Sequence, residues 1–481
     1  MRHPAVLAAA LGVAAATPTQ AAPAFTVRDI TPDGYATGTA YDVNASGDAV
    51  GVAENGPAGK VFFFYDHSEG TSTVIGAGTV VPRGTIVGTG FRGAAINDDG
   101  LIAGTARFLG GATESRGFVY SGGTAGAFTS LGTLPGATPS GIRPASDAVD
   151  LNATGFITGT ATSGAGTTPQ EADNIDVYLN TAAPLTDLDG DTTVATRGDF
   201  GRAVNDAGLV GGQSSAAKAA LFSGATITLP LAGTAHDADA SVVFDLNDNG
   251  DVLIENLTDT DALLYDSDAG TVTAIPQIGT GNRMFPKALN AGGDAVGQGD
   301  RTTGTSGQAR GWLYDASEST SYILEDQTTL AGTGDDTLGD WEELNTAWGI
   351  NASGWIVGQG KRRFTGNAFP NNRAYLLIPE TITPPQTGDY NDSGLVEQGD
   401  LNLVLNNWGS DTTIDGVPDG WVNDLPAGIV DQAELNKVLN NWGAGSGSLV
   451  SGRTVPEPVG VAAAAFALAG CGRRGRSELP N

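Results

Sequence analysis

The chain has 481 residues, of which 24 are basic and 54 acidic, giving a net charge of −30. Such a charge repels phosphate backbones and excludes nucleic acid as a partner class, while it suits a soluble secreted chain and draws cations. Glycine is abundant at 71 residues and aromatics are sparse, yet 40% apolar content with regular punctuation argues against disorder and for many short strands and turns in two or three domains.

In chain order, the first segment is an address. Arg2 supplies positive charge, residues 5–16 form a short apolar core, and small residues at 21–24 offer a cleavage site. Residues 1–24 therefore read as a signal peptide, with an apolar run too short to span a bilayer.

From residue 25 to 380 one pattern recurs: apolar, Asn, two residues, Gly, and a second Gly four further on. It opens as Val43-Asn44-Ala45-Ser46-Gly47-Asp48-Ala49-Val50-Gly51 and returns at Asn97, Asn152, Asn205, Asn247, Asn290 and Asn351. Only the fifth copy lacks the last glycine, with Ile254 in its place, and its second strand is expected to be irregular. The asparagines stand 53, 55, 53, 42, 43 and 61 residues apart, a mean of about 51, which is a period of propellers and solenoids. Asn accepts a backbone hydrogen bond at a turn, and Gly three residues on takes positive φ without a Cβ penalty. Each hairpin precedes an apolar-aromatic run, such as Phe62-Phe63-Phe64-Tyr65 or Trp312-Leu313-Tyr314, and then a fourth short strand, as at 131–134 or 185–188. Four strands in each of seven units predict a mainly β chain folded as a seven-bladed β-propeller of four-stranded blades. Val27 to Ile30 has the look of a fourth strand without its first three, and the last unit lacks one. The N-terminal strand is therefore expected to complete the last blade, removing two sheet edges.

The last copy carries the fullest signature: Trp341, Leu344, Ala347, Ile350-Asn351, Gly354, Ile356-Val357-Gly358, then Arg373-Ala374-Tyr375-Leu376-Leu377. With its sevenfold recurrence over 27–380, it is similar to the HAF family of extracellular repeats. The resemblance implies secretion and a repeat fold and no activity.

No Ser/His/Asp set, Cys/His cluster or phosphate loop stands out in this body, and no catalytic residue is assigned. His67 and His236 read as solvated loop side chains. The acidic run Asp335-Asp336, Asp340-Trp341-Glu342-Glu343 could pair carboxylates for glycoside chemistry, but reads as a solvated loop.

Residues 381–387, with Pro384-Pro385, form a rigid linker. Beyond it, Asp389, Asn391, Ser393, Glu397 and Asp400 set oxygen-bearing side chains at positions 1, 3, 5, 9 and 12 of a loop, with Gly394 at the sharp turn and the Leu395 carbonyl at position 7. Calcium is a hard cation that takes several oxygens from a flexible loop, so calcium is the expected cofactor. Leu401, Val404, Leu405 and Trp408 then fall on one helix face, and Leu435, Val438, Leu439 and Trp442 repeat it 34 residues later. These faces are expected to pack on each other. The second loop offers Asn423, Asp431, Glu434 and the Ile429 carbonyl, while Leu425 and Ala427 bring no side-chain oxygen. One good site and one weak site are expected, with affinity roughly in the 10⁻⁶–10⁻³ M range. Two duplicated loop-helix units over 388–443 resemble a dockerin type I domain. That resemblance implies a cohesin-like partner, although Gln398-Gly399 and Gln432-Ala433 replace the family's usual hydroxyl pair.

Residues 444–455 form a second linker. In 456–481, Pro456-Glu457-Pro458 precedes an apolar run over 459–470 and then Arg473, Arg474 and Arg476. This tail resembles a PEP-CTERM sorting signal, which implies a Gram-negative-type envelope, transient membrane contact and processing by an exosortase-type protease. Cys471, the one cysteine, also ends a lipoprotein-like box, Leu468-Ala469-Gly470-Cys471, although such a box belongs at an N-terminus. Two functions follow. One is a secreted, envelope-associated, non-enzymatic binding and scaffold protein that contacts an extracellular polysaccharide or surface protein. The other is a polysaccharide-degrading hydrolase or lyase carrying a dockerin.

Overall fold

Each repeat asparagine ends an innermost strand and opens a tight hairpin. In the first copy the Asn44 Oδ1 accepts from the backbone N–H of Ser46 and Asp48, at 3.1 and 2.9 Å. The glycine three residues on takes φ of +82° at Gly47, and between +74° and +87° at Gly100, Gly155, Gly208, Gly250, Gly293 and Gly354. The turn chemistry expected of the sequence is the turn chemistry found.

The computed structural model describes residues 23–55, 59–76, 80–82, 94–108, 115–121, 126–134, 146–163, 174–180, 185, 188, 199–280, 283–301, 309–328, 341–364 and 369–380, then 388, 390, 396, 398–412, 418, 421 and 428–442. The chain divides into two units, Met1–Glu380 and Thr381–Asn481.

The first unit is a seven-bladed β-propeller of four-stranded antiparallel blades. Blade 1 runs outward through Thr37–Val43, Ala49–Glu54, Lys60–Asp66 and Thr71–Ile75. Blade 2 holds Ala94–Ile96, Ile102–Phe108, Ser115–Ser121 and Ala127–Ser130, and Val80–Pro82 pairs the same edge as Ala94–Ile96. Blade 3 begins Asp150–Leu151, Ile157–Ser163, Asn174–Asn180; its fourth strand, expected at 185–188, lies outside the described residues apart from Leu185 and Leu188. Blade 4 opens at Phe200–Val204, blade 5 at Ser241–Leu246 and blade 6 at Met284–Leu289. Blade 7 holds Trp341–Ile350, Ile356–Arg362 and Asn371–Pro379, closed by Phe25–Asp29.

The N-terminal strand thus completes the last blade, in register from Phe25 opposite Pro379 to Asp29 opposite Tyr375. Charge pins it there. Asp29 Oδ2 accepts from Arg362 at 3.1 Å and Arg373 at 2.8 Å, and all three side chains are largely buried.

Two expectations are corrected. The fourth strand of blade 2 is Ala127–Ser130, upstream of 131–134. Phe128 packs within 4.6–6.0 Å of the Phe62, Phe118 and Tyr120 rings, and this holds the strand on its blade. Leu131 and Leu134 instead turn down into the core shared with blade 3. The second strand of blade 5 is also regular: Ile254 pairs with Val243 and Leu263 and is fully buried. The reason lies across the sheet. The equivalent glycines face rings, Gly51 opposite Phe63, Gly104 opposite Phe118, Gly159 opposite Tyr178, Gly297 opposite Trp312 and Gly358 opposite Tyr375. A Cβ on Gly358 would strike the Thr346 carbonyl and the Tyr375 ring. Opposite Leu263 there is no ring, and a branched side chain fits.

The blades are joined by a device the repeat alone does not reveal. Each asparagine donates its side-chain N–H to the backbone carbonyl of the asparagine in the next blade, and the series runs 44 to 97, 152, 205, 247, 290, 351 and back to 44. The seven bonds measure 2.8 to 3.4 Å. All seven side chains are buried. A second device alternates around the ring. Asp42, Asp150 and Asp245 each accept from a backbone N–H of the following blade, at Ile96, Val204 and Leu289. The partner blades carry Ala95, Ala203 and Ala288 at the matching place, and the unpaired seventh carries Gly349, against which the Asp42 backbone lies too close for a Cβ to fit without a shift.

The second unit contains helices α1 (Gln398–Asn406) and α2 (Gln432–Asn440) around a core of Tyr390, Val396, Leu401, Val404, Trp421, Val430, Leu435 and Val438. The expected pairing of Trp408 with Trp442 is not found. Trp408 is 49% exposed and Leu405 42% exposed, while Trp442 packs on the core. Trp421 takes the place instead, with its ring 4.3 Å from that of Tyr390.

Two outcomes test the ring. Asn351→Ala should lower unfolding stability by about 1–3 kcal/mol, and Asn351→Asp, which keeps the acceptor and loses the donor, should recover only part of it in urea titrations. Gly358→Ala should cost about 1–3 kcal/mol by overpacking against Tyr375, and Tyr375→Leu should relieve it in a double-mutant cycle.

Candidate functional site

The residues singled out for chemistry are dispersed. Of the first calcium loop, Asp389, Asn391, Ser393, Leu395 and Glu397 lie outside the described residues, as does Asn423 of the second. Asp400 is fully buried, and its Oδ1 accepts from the Tyr390 N–H at 2.8 Å. Asp431 caps α2 and Glu434 answers it: Asp431 Oδ1 accepts from Ala433 N–H at 2.7 Å, and Glu434 Oε2 accepts from Asp431 N–H at 3.1 Å. Ile429 is 56% exposed and pairs with Asp411 in an isolated antiparallel bridge. Among the described residues no three His, Cys, Asp or Glu side chains converge as a metal cluster. The tail at 456–481, with Cys471, lies outside the described residues, and among the described helices none is long and apolar enough to cross a membrane.

The histidines are corrected from solvated loops to packed ones. His67 lies edge-on to Trp355 at 4.5 Å because a carboxylate, Asp48, holds its backbone N–H at 2.9 Å. His236 Nδ1 sits 3.2 Å from Asp239 Oδ2, and Asn256 donates to the same oxygen at 3.0 Å. The acidic run is also structural where it is described. Trp341 is buried in blade 7, Glu342 pairs with Arg363, and Glu343 pairs with Lys361 at 2.7 Å and Arg310 at 3.6 Å. Burial opposes the Glu343 charge, but hydrogen bonds from Lys361 and Asn345 with the charges of Arg310 and Lys361 hold its carboxyl below the usual range. Asp335, Asp336 and Asp340 lie outside the described residues.

A cleft of about 420 Å³ opens between the hairpin turns of blades 2 and 3, lined by Asn97, Leu101, Ala153, Thr154 and Phe64. Its one carboxylate, Asp99, has no acidic companion among the lining residues, so the cleft can hold a small group but does not pair acids.

The densest chemistry lies toward the axis, three residues before each asparagine. The positions are Tyr41, Ala94, Val149, Arg202, Phe244, Lys287 and Trp348. In blades 1, 4, 5, 6 and 7 the pairing register skips this residue, so it forms a bulge. A bulge re-aims one side chain and sacrifices a ladder position. Here it joins side chains of successive blades. The Arg202 guanidinium lies 4.6 Å over Phe244, Lys287 Nζ lies 4.6 Å over Phe244 and 5.0 Å over Trp348, and Trp348 meets Tyr41 edge-on at 5.4 Å. Desolvated cation–π pairs of this kind are worth about 2 kcal/mol or more each. Burial pushes the Arg202 guanidinium down to about 10, against the charge of Glu255, and burial alone pushes the Tyr41 phenol up to about 12. Glu255 is itself buried and raised by desolvation, with Lys287 and then Arg202 opposing. Sequence reading missed this arc because its members share a position relative to the asparagine and no residue type; that fixed offset was the available signal.

No protein-family model matches the chain, and no curated protein does. Among solved structures the chain is similar to puromycin hydrolase, at 14% identity and a TM-score of 0.43, over 69% of this chain and 54% of that one. It is similar to virginiamycin B lyase from Staphylococcus aureus, at 12% identity and a TM-score of 0.42, over 74% of this chain and 99% of that one. It is also similar to the β-propeller domain of the Trilobed protease from Pyrococcus furiosus, at 12% identity and a TM-score of 0.40, over 59% and 81%. The chain spans about half the length of the puromycin hydrolase it matches. Likeness at this level concerns the fold and carries no activity with it.

Glu255 gives the arc a pH signature. Folded, it keeps its proton to a higher pH than the unfolded carboxyl, whose ordinary value is 4.5. Its stabilising contribution is therefore complete below that value and is lost as pH rises through the folded one. Wild-type stability minus that of Glu255→Gln should fall as pH rises from the ordinary carboxylate range, measured by urea unfolding at a series of pH values. A flat difference would refute the assignment.

Proposed function

We propose that the chain is a secreted, envelope-associated, non-enzymatic binding and scaffold protein, whose HAF-like propeller presents the binding surface and whose C-terminal unit is a calcium-dependent, dockerin-like docking module. The observation that carries the docking half is an internal repeat in hydrogen bonding at an offset of 34 residues. Gln398 donates to Asn402 at 3.0 Å, and Gln432 to Asn436 at 3.0 Å. Asn407 closes its helix on the Leu403 carbonyl at 2.8 Å, and Asn441 closes the other on the Lys437 carbonyl at 2.8 Å. Asp400 and Glu434 are the buried acids at the third position of each helix. Tyr390 ties the halves together, receiving nothing from Asp400 but donating its N–H to it, and donating its hydroxyl to the Glu434 carbonyl at 3.0 Å. A duplicated loop-helix unit with an acid at the end of each loop is the arrangement a pair of calcium loops requires.

Asp389, Asn391, Ser393, Glu397, Asp400 and the Leu395 carbonyl would hold the main calcium ion. Asn423, Asp431, Glu434 and the Ile429 carbonyl would form the weaker site, since Asp431 and Glu434 each commit one carboxylate oxygen to the α2 cap. The exposed pair Leu405 and Trp408 on one side of α1 supplies apolar contact area for a cohesin-like partner. The PEP-CTERM-like tail would retain the chain at the envelope until an exosortase-type protease acts.

Calcium titration of the full chain, followed by circular dichroism and tryptophan fluorescence, should show saturable ordering with an affinity roughly between 10⁻⁶ and 10⁻³ M. Asp389→Ala should abolish that response while leaving propeller melting unchanged. Calcium-independent capture by cohesin modules, or robust release of reducing sugar from a polysaccharide panel, would defeat this reading; the second result would favour a dockerin-bearing hydrolase or lyase.

A further inference from the structure

The arc of side chains near the axis spends more than closure of a ring requires. Blades 2 and 3 fill the same position with Ala94 and Val149, both buried, and the asparagine belt passes through them unbroken. A small apolar residue therefore suffices for closure. Burying a cation is costly, and replacing buried charges with apolar groups of similar volume is often neutral or stabilising. Yet blades 4 and 6 turn Arg202 and Lys287 inward, at a bulge in each case. Both cations lie 4.6 Å from the centre of one ring, Phe244, so they stand within about 9 Å of each other. One carboxylate, Glu255, acts on both. The cluster is thus net positive inside a chain whose total charge is −30.

The arc is also one-sided. It runs from Arg202 through Phe244, Lys287 and Trp348 to Tyr41, and only Ala94 and Val149 separate its two ends. Arg202 and Trp348 keep partial exposure, whereas Tyr41, Phe244 and Lys287 are buried. Water-sized access at Arg202 beside short side chains, with a guanidinium able to take two oxygens at once, is the arrangement that recognises a planar anion. We infer that this axial arc is a binding site for a carboxylate ligand, with Arg202 as the bidentate partner, Lys287 as the second charge, and the Tyr41 hydroxyl and Trp348 ring as the wall. The desolvation that weakens the Arg202 charge is relieved when a carboxylate arrives.

The chemistry is shared by small free carboxylates and by the uronate units of an acidic glycan. The site deepens the binding role proposed for the propeller and rests on that reading, but it uses no residue of the calcium module. EDTA must therefore leave it unchanged, and a failure of calcium ordering would leave this inference standing.

The test is calorimetric titration of the full chain with galacturonate, neutral galactose and acetate, in EDTA and in calcium. Galacturonate should bind and galactose should not; acetate binding as well would assign the site to carboxylates in general, and galacturonate alone to uronates. Arg202→Gln should weaken binding at least about tenfold, and Arg202→Lys should restore part of it, as a charge-assisted contact requires. Circular dichroism checks that each variant is folded. Should Arg202→Gln not fold, wild-type binding of galacturonate at low and high salt decides, because a charge-driven site must weaken with salt. Galactose bound as tightly as galacturonate, no heat from either anion, salt-independent affinity, or unchanged affinity in Arg202→Gln would each overturn the inference.

Discussion

A buried belt of amides holds this propeller together. Each asparagine side chain has two jobs, accepting from its own hairpin and donating to the carbonyl of its neighbour, so one residue type satisfies both the turn and the seam. The series returns from Asn351 to Asn44 across 307 residues of chain. A polar group buried without a partner costs about 1–3 kcal/mol, so a blade that left the ring would orphan groups on both sides of it. Closure is therefore enforced by hydrogen bonds near the axis and by the shared strand Phe25–Asp29 in blade 7. The apolar contacts between blades fill the space that these constraints define.

Variation between blades follows from local fit. Where an aromatic ring lies across the sheet, the second strand carries glycine; where Leu263 lies there, Ile254 is accepted. Where an aspartate staples one blade to the next, the partner carries alanine at the matching place. Seven is odd, so this pairing leaves one blade over, and Gly349 occupies it. The bulges have a different character. They cost ladder pairing and bring cations and aromatic rings together near the axis, which separates a position used for closure from a position used for contact.

The C-terminal unit rests on a smaller economy of the same kind. Two nine-residue helices are individually too short to be stable in water. Tyr390 bonds to both halves and stacks with Trp421, so each helix is held by the other's loop. This dependence gives a bound cation leverage over the whole unit, since loop order and helix order are one event.

The amino-acid sequence by itself determined the repeat, its period, its turn chemistry and the N-terminal strand that completes the last blade. Those depend on backbone preferences and on local apolar patterning, and a single chain displays both. It also displayed the duplicated loop-helix pattern after residue 388. Three things were decided only in the tertiary structure. Asn donation to the next blade joins residues 42 to 61 apart in neighbouring sheets, and 307 apart at the closure, so no local window contains both partners. Leu405 and Trp408 share the periodicity of Leu401 and Val404 but lie outside the core, because Trp421 reaches it first from a loop. The cation–aromatic arc is assembled from five strands of different composition, and its members become neighbours only when the ring has closed.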